Sequence, residues 1–389
     1  MQKDKTGWLM LGVVLIGANL RLPITMMPPL LGRLEASGAL PPALAGLVTT
    51  LPLLAFALAS AGLGRLGARW GQGQVLLGAA ALLVVGNYLR VLPHPLALLG
   101  GTVLVGLAIT GGNVLLPGLI KSAFPHRIAL MTTLYTTAMG LVASLGTGTA
   151  GVLAQRLGAA GTIAVLSTVS VLALGVWLLA WPRDHGQAVT HQALPRVTRS
   201  RSAWLVAGFF GLQSLLYYSL LTWLPTIWQQ SGFSAVAAGN LATLFQLAGL
   251  PMTVLTPSLA ERRHGVATLV GLIAGGFGLG LLGVALMPAV FAWHAALALV
   301  MGAASGAAFS MCIVFFQQKT TAPAVTAALS GMAQAGGYLL AALGPVGFSA
   351  LATAFGWTAV LWVCLALSVL LGGCGWAVMR SPQVDSPVD

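Results

Sequence analysis

The chain is short of acid. Of its 389 residues only 6 are Asp or Glu, against 18 Lys or Arg, and charged residues make up 6% in all. Soluble domains carry about 25% charged residues, so a water-soluble globular protein is excluded. The six carboxylates, Asp4, Glu35, Asp184, Glu261, Asp385 and Asp389, avoid the middle of every long apolar run. That removes the intramembrane Asp or Glu that proton-coupled carriers commonly use. Cysteine is scarce as well. Cys312, Cys364 and Cys374 are odd in number, sit inside apolar segments and lack metal-ligand spacing, so neither a disulfide framework nor a zinc site follows. The H-E-x-x-H, G-x-S-x-G and Walker A patterns are missing. This counts against a membrane-embedded enzyme and a nucleotide-driven pump, and no soluble signalling domain speaks for a sensor. No cofactor and no metal are expected.

What the chain has is hydrophobic length: 58% of residues are apolar. About 20 such residues cross a bilayer. On that measure spans are predicted at 7–31, 42–63, 73–92, 96–120, 128–155, 159–181, 203–228, 236–259, 266–287, 290–316, 324–353 and 357–379. The breaks carry Pro41-Pro42, Gly71-Gln72-Gly73, Pro93-His94-Pro95, Gly158, Pro288, Pro323 and Gly356, as punctuation between helices should. Lys3 and Lys5 imitate the start of a signal peptide. No small-residue cleavage site follows, and the first run is long enough to span, so it reads as a retained helix. The longest hydrophilic break divides the chain into an N-terminal six-helix bundle at 1–181, a cytoplasmic linker at 182–202 and a C-terminal six-helix bundle at 203–389. The expected fold class is an all-α membrane protein of twelve transmembrane helices in two pseudo-repeats.

Orientation follows from Lys and Arg. With the N-terminus inside, that side receives Lys3, Lys5, Arg65, Arg69, Lys121, Arg127, Arg183, Arg196, Arg199, Arg201, Arg262, Arg263, Lys319 and Arg380. The outside receives Arg33, Arg90 and Arg156. This asymmetry obeys the positive-inside rule and puts both termini in the cytoplasm of a bacterial inner-membrane protein. The net charge of +12 is therefore topogenic, scattered between apolar runs, and no nucleic-acid partner is expected. The expected partners are the lipid bilayer and a small solute, with the chain acting as a monomer.

The halves repeat. A shift of 198 carries Arg65 to Arg263, Lys121 to Lys319, Pro125 to Pro323, Ala129 to Ala327, Gly146 to Gly344 and Gly158 to Gly356. Two parallel six-helix halves around a midplane site describe a major facilitator carrier.

One charge stands apart. Arg21 lies in the middle of the first span, with no acid near it in sequence. Placing a guanidinium at the bilayer centre costs about 2.5 to 3.5 kcal/mol on the mildest scale, and it cannot shed its proton. It either faces an anionic or electron-rich ligand, which it can grip with two parallel hydrogen bonds, or it is neutralised by carbonyls or snorkels. Candidate companions are Asn19, Asn113, Gln213, Tyr217, Tyr218, Gln246, Gln334 and Tyr338, each of which could equally serve an interhelical hydrogen bond. Tyr217 and Tyr218 fall near the second-half counterpart of Arg21. Of six histidines, five are in loops and His294 lies near a helix end, which makes it the one candidate for a protonation switch.

The sequence resembles a known family. The marks are Asn19-Leu20-Arg21 with Ile24-Thr25, Thr49-Thr50-Leu51-Pro52-Leu53-Leu54-Ala55-Phe56-Ala57, and Gly112-Asn113-Val114-Leu115-Leu116-Pro117-Gly118-Leu119-Ile120-Lys121. Further marks are Phe124-Pro125-His126, Tyr217-Tyr218 with Trp223-Leu224-Pro225, and Ala328-Leu329-Ser330-Gly331-Met332-Ala333-Gln334 followed by Gly337-Tyr338-Leu339-Leu340. They resemble the cyanate and 2-nitroimidazole transporters of the bacterial major facilitator superfamily, more closely the 2-nitroimidazole branch. One departure is Leu22, which intervenes before Pro23 where family members often place proline directly after the arginine. The resemblance implies a secondary transporter of a small nitrogen-containing anionic or polar solute, working by alternating access, with a drug exporter of the same fold as the alternative. The missing membrane carboxylate points to facilitated diffusion, exchange or potential-driven movement. Proton symport through a histidine or a protonated solute stays open.

Overall fold

Proline and glycine, more than charge, decide where the apolar runs become separate helices. In the computed structural model, which describes residues 2–180, 197–321 and 323–384, the regular elements are helical and no β-strand occurs among those residues. The first run yields α1 (Gln2–Asn19), the single turn α2 (Leu22–Thr25), a 3-10 turn at Pro28–Leu30 and α3 (Leu31–Ala36). Then follow α4 (Leu47–Trp70), α5 (Gln72–Leu89), α6 (Pro95–Ala123) and α7 (Ile128–Ala180). The second half contributes α8 (Arg201–Gln230), α9 (Ala235–Ala260), α10 (Gly265–Leu286), α11 (Phe291–Gln318), α12 (Pro323–Phe355) and α13 (Trp357–Arg380).

Among the described residues, 11 stretches are long and apolar enough to cross a membrane. One of them, Leu130–Ala180, runs for 51 residues. At about 1.5 Å per residue that is more than twice a hydrocarbon core of roughly 30 Å. It is broken at Gly158, where φ 68° and ψ 179° leave the helical region, a conformation that favours glycine. It is therefore long enough to cross twice, which gives twelve crossings among the described residues.

Three sequence readings change. The predicted single span at 7–31 is split by Pro23, Pro28 and Pro29 into the pieces above, since proline removes ladder donors and clashes one turn back. The span predicted to end at residue 63 continues as α4 through 64–69; the stop comes only at Gly71, whose φ of 93° ends the helix. Arg90, counted among the outer topogenic charges at the end of the 73–92 span, is buried at the C-cap of α5. Of the linker predicted at 182–202, residues 182–196 lie outside the described residues. The remainder is a 3-10 turn, Val197–Arg199, followed by the start of α8 at Arg201, so Ser202 is a buried helical residue.

Contacts divide the chain into two compact units, Met1–His191 and Gln192–Asp389. Within the first, α1 packs on α7, α4 on α6, and α5 on both α6 and α7. Within the second, α8 packs on α12, α9 on α11, and α10 on both α11 and α13. The 198-residue repeat survives in single contacts. Gly158 and Gly356 both take positive φ between paired helices. Gly146 lies against Leu22, and Gly344 against Ser219 and Leu215. Thr147 Oγ1 donates to Thr25 O at 3.0 Å, and the shift carries these residues to Pro345 and Trp223, where Trp223 Nε1 donates to Pro345 O at 2.9 Å. The same two places are bonded in each unit by different chemistry.

Lys319 gives a first expected result. It caps α11, is buried, and donates from Nζ to Met379 O at 3.2 Å and to Ser381 O at 2.6 Å. The Val384 N–H returns a bond to Lys319 O at 2.8 Å. A cation there satisfies carbonyls left over at the end of α13 and suits the negative end of its dipole. Lys319→Met keeps the apolar stem and should cost about 1–3 kcal/mol. Amide exchange over 376–384 should quicken while cargo affinity stays as in the parent; unchanged exchange there would show the clamp to be idle.

Candidate functional site

The first unit presents a discontinuous helix. α1 ends at Asn19, and Arg21 caps the next turn with φ −127° and ψ −33°. Pro23 then occupies an early position of α2, where its missing N–H costs nothing. Such a break frees carbonyls that a bilayer cannot hydrate, and neighbouring helices must satisfy them. They do. Pro23 O accepts from Arg90 Nη1 of the α5 end at 2.8 Å, and Thr25 O accepts from Thr147 Oγ1 of α7. Thr25 Oγ1 in turn donates to Ala143 O at 3.1 Å. On either side of Arg21 a leucine is buried: Leu20 rests on Gly112 of α6 and Leu22 on Gly146 of α7. A side chain at either glycine would displace the break. Arg21 itself stays half-buried between these two anchored residues.

The companions predicted in this unit part ways. Asn19 is buried, and its Nδ2 donates to Leu15 O at 2.8 Å and to Val169 O at 3.2 Å, tying α1 to α7. Its Oδ1 has no hydrogen-bond partner among the described residues, and Asn19 helps to line a small pocket of about 20 Å³ together with Ile16, Leu20, Leu83, Ala108 and Gly112. That is room for a single water molecule, too small for cargo. Asn113 is exposed on α6, next to the glycine that receives Leu20.

The second unit gathers aromatic rings. On α8, half-buried Tyr217 and buried Tyr218 meet edge to face at 5.0 Å. Tyr217 stacks on Phe245 of α9 at 6.3 Å, beside half-buried Gln246. Tyr218 meets Tyr338 of α12 at 6.3 Å, and Tyr338 meets Phe210 at 5.2 Å. Three of the predicted tyrosines therefore form one cluster with Gln246 at its border. Such rings offer flat apolar faces with polar hydroxyl tips. Gln213 is buried and donates from Nε2 to its neighbour Ser214 Oγ at 2.8 Å. Gln334 is exposed one turn before Tyr338 and donates to Ser330 Oγ at 2.8 Å.

His294 has a side-chain partner on one of its two ring nitrogens. It is buried, and its Nδ1 accepts from Trp228 Nε1 at 3.1 Å. Phe233 packs edge-on against the ring at 5.0 Å. An accepting Nδ1 fixes the neutral tautomer with the proton on Nε2, so protonating Nδ1 would require losing the tryptophan bond.

Sequence reasoning missed Arg90 and Asn87. Both are buried on α5, three residues apart and hence on one helix face. Among the described residues, Arg90 Nε and both polar atoms of the Asn87 amide have no hydrogen-bond partner. The available signal was that spacing at the end of an apolar run, which a tally of loop charges overlooks.

Comparison with known proteins gives a consistent result. A family model described as Major Facilitator Superfamily matches residues 9–341. The chain is 37% identical over 385 residues to a 2-nitroimidazole transporter of Escherichia coli (strain K12), covering 97% of this chain and 96% of the relative. It is 34% identical over 387 residues to the uncharacterized transporter YycB of Bacillus subtilis (strain 168), covering 98% and 96%. The cyanate transport protein CynX of Escherichia coli (strain K12) matches at 29% over 344 residues, 87% of this chain and 88% of the relative. Among solved structures, the nucleoside transporter NupG superposes with a TM-score of 0.79 at 14% identity, covering 96% of this chain and all of that one (100%). A D-xylose-proton symporter superposes at 0.76 with 16% identity, covering 97% and 98%. These two show likeness of fold.

Proposed function

The chain belongs to the Major Facilitator Superfamily, and on that premise we propose that it carries a small, nitrogen-containing anionic or polar solute anchored by Arg21. It is a multi-pass membrane transporter and not an enzyme. The observation that supports the solute class is the half-buried Arg21 at a helix break whose neighbouring carbonyls are already bonded to other side chains. A guanidinium so placed can offer its parallel N–H pair to a planar oxyanion or nitro group. The tyrosine cluster of the second unit suits a flat heteroaromatic ring. Two relatives bear the names of such solutes, 2-nitroimidazole and cyanate.

The cycle is alternating access, with cargo neutralising the buried charge and easing the transition of the loaded carrier. The carrier works as a monomer in the bacterial inner membrane with both termini in the cytoplasm, the orientation its lysines and arginines favour. Movement is by uniport, exchange or the membrane potential, because no Asp or Glu lies in the middle of a span. Proteoliposomes loaded with the purified protein test this. Saturable flux of 2-nitroimidazole, cyanate or a close nitrogenous analogue is expected. An imposed voltage should alter the rate for a charged solute more than an imposed pH gradient does. Absence of flux for the whole series would reject the solute class, and flux that follows only the pH gradient would reject the coupling.

A further inference from the structure

Arg90 is buried with 2% of its surface exposed, and among the described residues no carboxylate is paired with it. Its position is tightly determined. Gly86 and Gly101 bring α5 and α6 into backbone contact, and a methyl on Gly101 would meet Arg90 Cγ at 2.7 Å. The guanidinium is thereby led to the Pro23 carbonyl, where Nη1 donates at 2.8 Å. That carbonyl belongs to α2, a helix of 4 residues. An isolated turn of this length does not hold its own shape in water or lipid, because nucleation is unfavourable. α2 is defined instead by Ile24 N and Thr25 N bonding to Arg21 O, each at 3.0 Å, and by the side-chain hydrogen bonds that tie it to α5 and α7. The α5 grip is a charge-assisted bond, roughly twice as strong as a neutral one. A charge read from sequence as topogenic thus sits where it can govern the backbone beside Arg21.

We propose that Arg90 is a positioning residue for transport: by holding the Pro23 carbonyl it fixes the helix break from which Arg21 reaches its cargo. This rests on the reading of Arg21 as the anchor. Among the described residues, Arg90 Nε and the Asn87 amide on the same face have no partner, which leaves Pro23 O as the bond that orients the guanidinium. A salt bridge there would have fixed the arginine to another chain segment; the carbonyl fixes it to the break.

The test uses the full chain with Arg90→Met, which keeps the stem and removes the donors, and Arg90→Lys, which keeps the charge at shorter reach. In R90M, amide exchange over 17–27 should quicken about tenfold and cargo affinity should weaken about tenfold, with the maximal rate changed less than about twofold. R90K should fall between R90M and the parent in both readouts. Parent-like exchange over 17–27 in R90M, or in R90K where R90M cannot be reconstituted, overturns the proposal. So does faster exchange spread evenly over the first unit, which would mark a merely structural residue. Parent-like flux in an Arg21→Ala carrier would remove the anchor reading instead and leave the exchange result intact, so the two failures are distinguishable.

Discussion

Replacing Arg21 with alanine is expected to reduce cargo flux at sub-saturating concentration by about a hundredfold or more. Two parallel charge-assisted hydrogen bonds from one guanidinium are together worth roughly 3 kcal/mol once water is excluded, which is a factor of about 150 in affinity. The fold should survive the change. What shapes the break is the Arg21 carbonyl, which accepts from Ile24 N and Thr25 N, together with Leu20 on Gly112 and Leu22 on Gly146. None of these needs the Arg21 side chain. Arg21→Lys preserves the charge without the planar fork, so it should recover part of the loss and remain about tenfold below the parent. Initial rates in proteoliposomes across a concentration series separate affinity from maximal rate. Parent-like rates in both variants would remove the anchor role.

Arg21 could be found in the sequence because a lone charge inside an apolar run is conspicuous against 6% charged residues overall. Arg90 could not. It falls at the end of the run predicted at 73–92, beside Pro93-His94-Pro95, where a topogenic cation at the membrane face and a buried C-cap look alike. The distinction depends on Gly86 and Gly101 drawing α5 against α6, a contact between segments that no local pattern encodes. His294 was legible only in part. Its position near a helix end is right, but its partner Trp228 is 66 residues away in sequence. The repeat fared better, because glycines at Gly158 and Gly356 hold positive φ that other residues resist. Helix limits at 64–69 were misread because Gly64 and Gly67 are weak breakers inside a helix whose remaining residues favour it. The candidate companions divided for a simple reason. An amide or phenol in a span signals a bond, and the sequence does not say whether the partner is cargo or a carbonyl such as Val169 O.

The second large effect belongs to the crossing of α9 and α11. Lipid tails are as apolar as leucine, so helices in a bilayer adhere through close packing and polar contacts more than through hydrophobic burial. In the second unit Gly302 lies against the Phe245 carbonyl and Gly306 against the Gly249 carbonyl, so the two backbones touch. A methyl on either glycine would strike main-chain atoms, which cannot rotate away as a side chain can. Gly302→Ala or Gly306→Ala should therefore destabilise by about 3 kcal/mol, the upper end for overpacking, despite the better helix propensity of alanine. Phe245 would shift with the main chain and carry its stack on Tyr217 with it, so cargo affinity should fall in the same variants. Gly271→Ala on α10 is the matched control. Nothing lies within 4 Å of its added methyl, and alanine there should leave stability unchanged or raise it by up to about 1 kcal/mol, with no fall in melting temperature. Melting in detergent compares the three variants directly. Equal melting temperatures would mean that the crossing is slack, and the tyrosine cluster would then lose the rigid support that α9 is argued to give it.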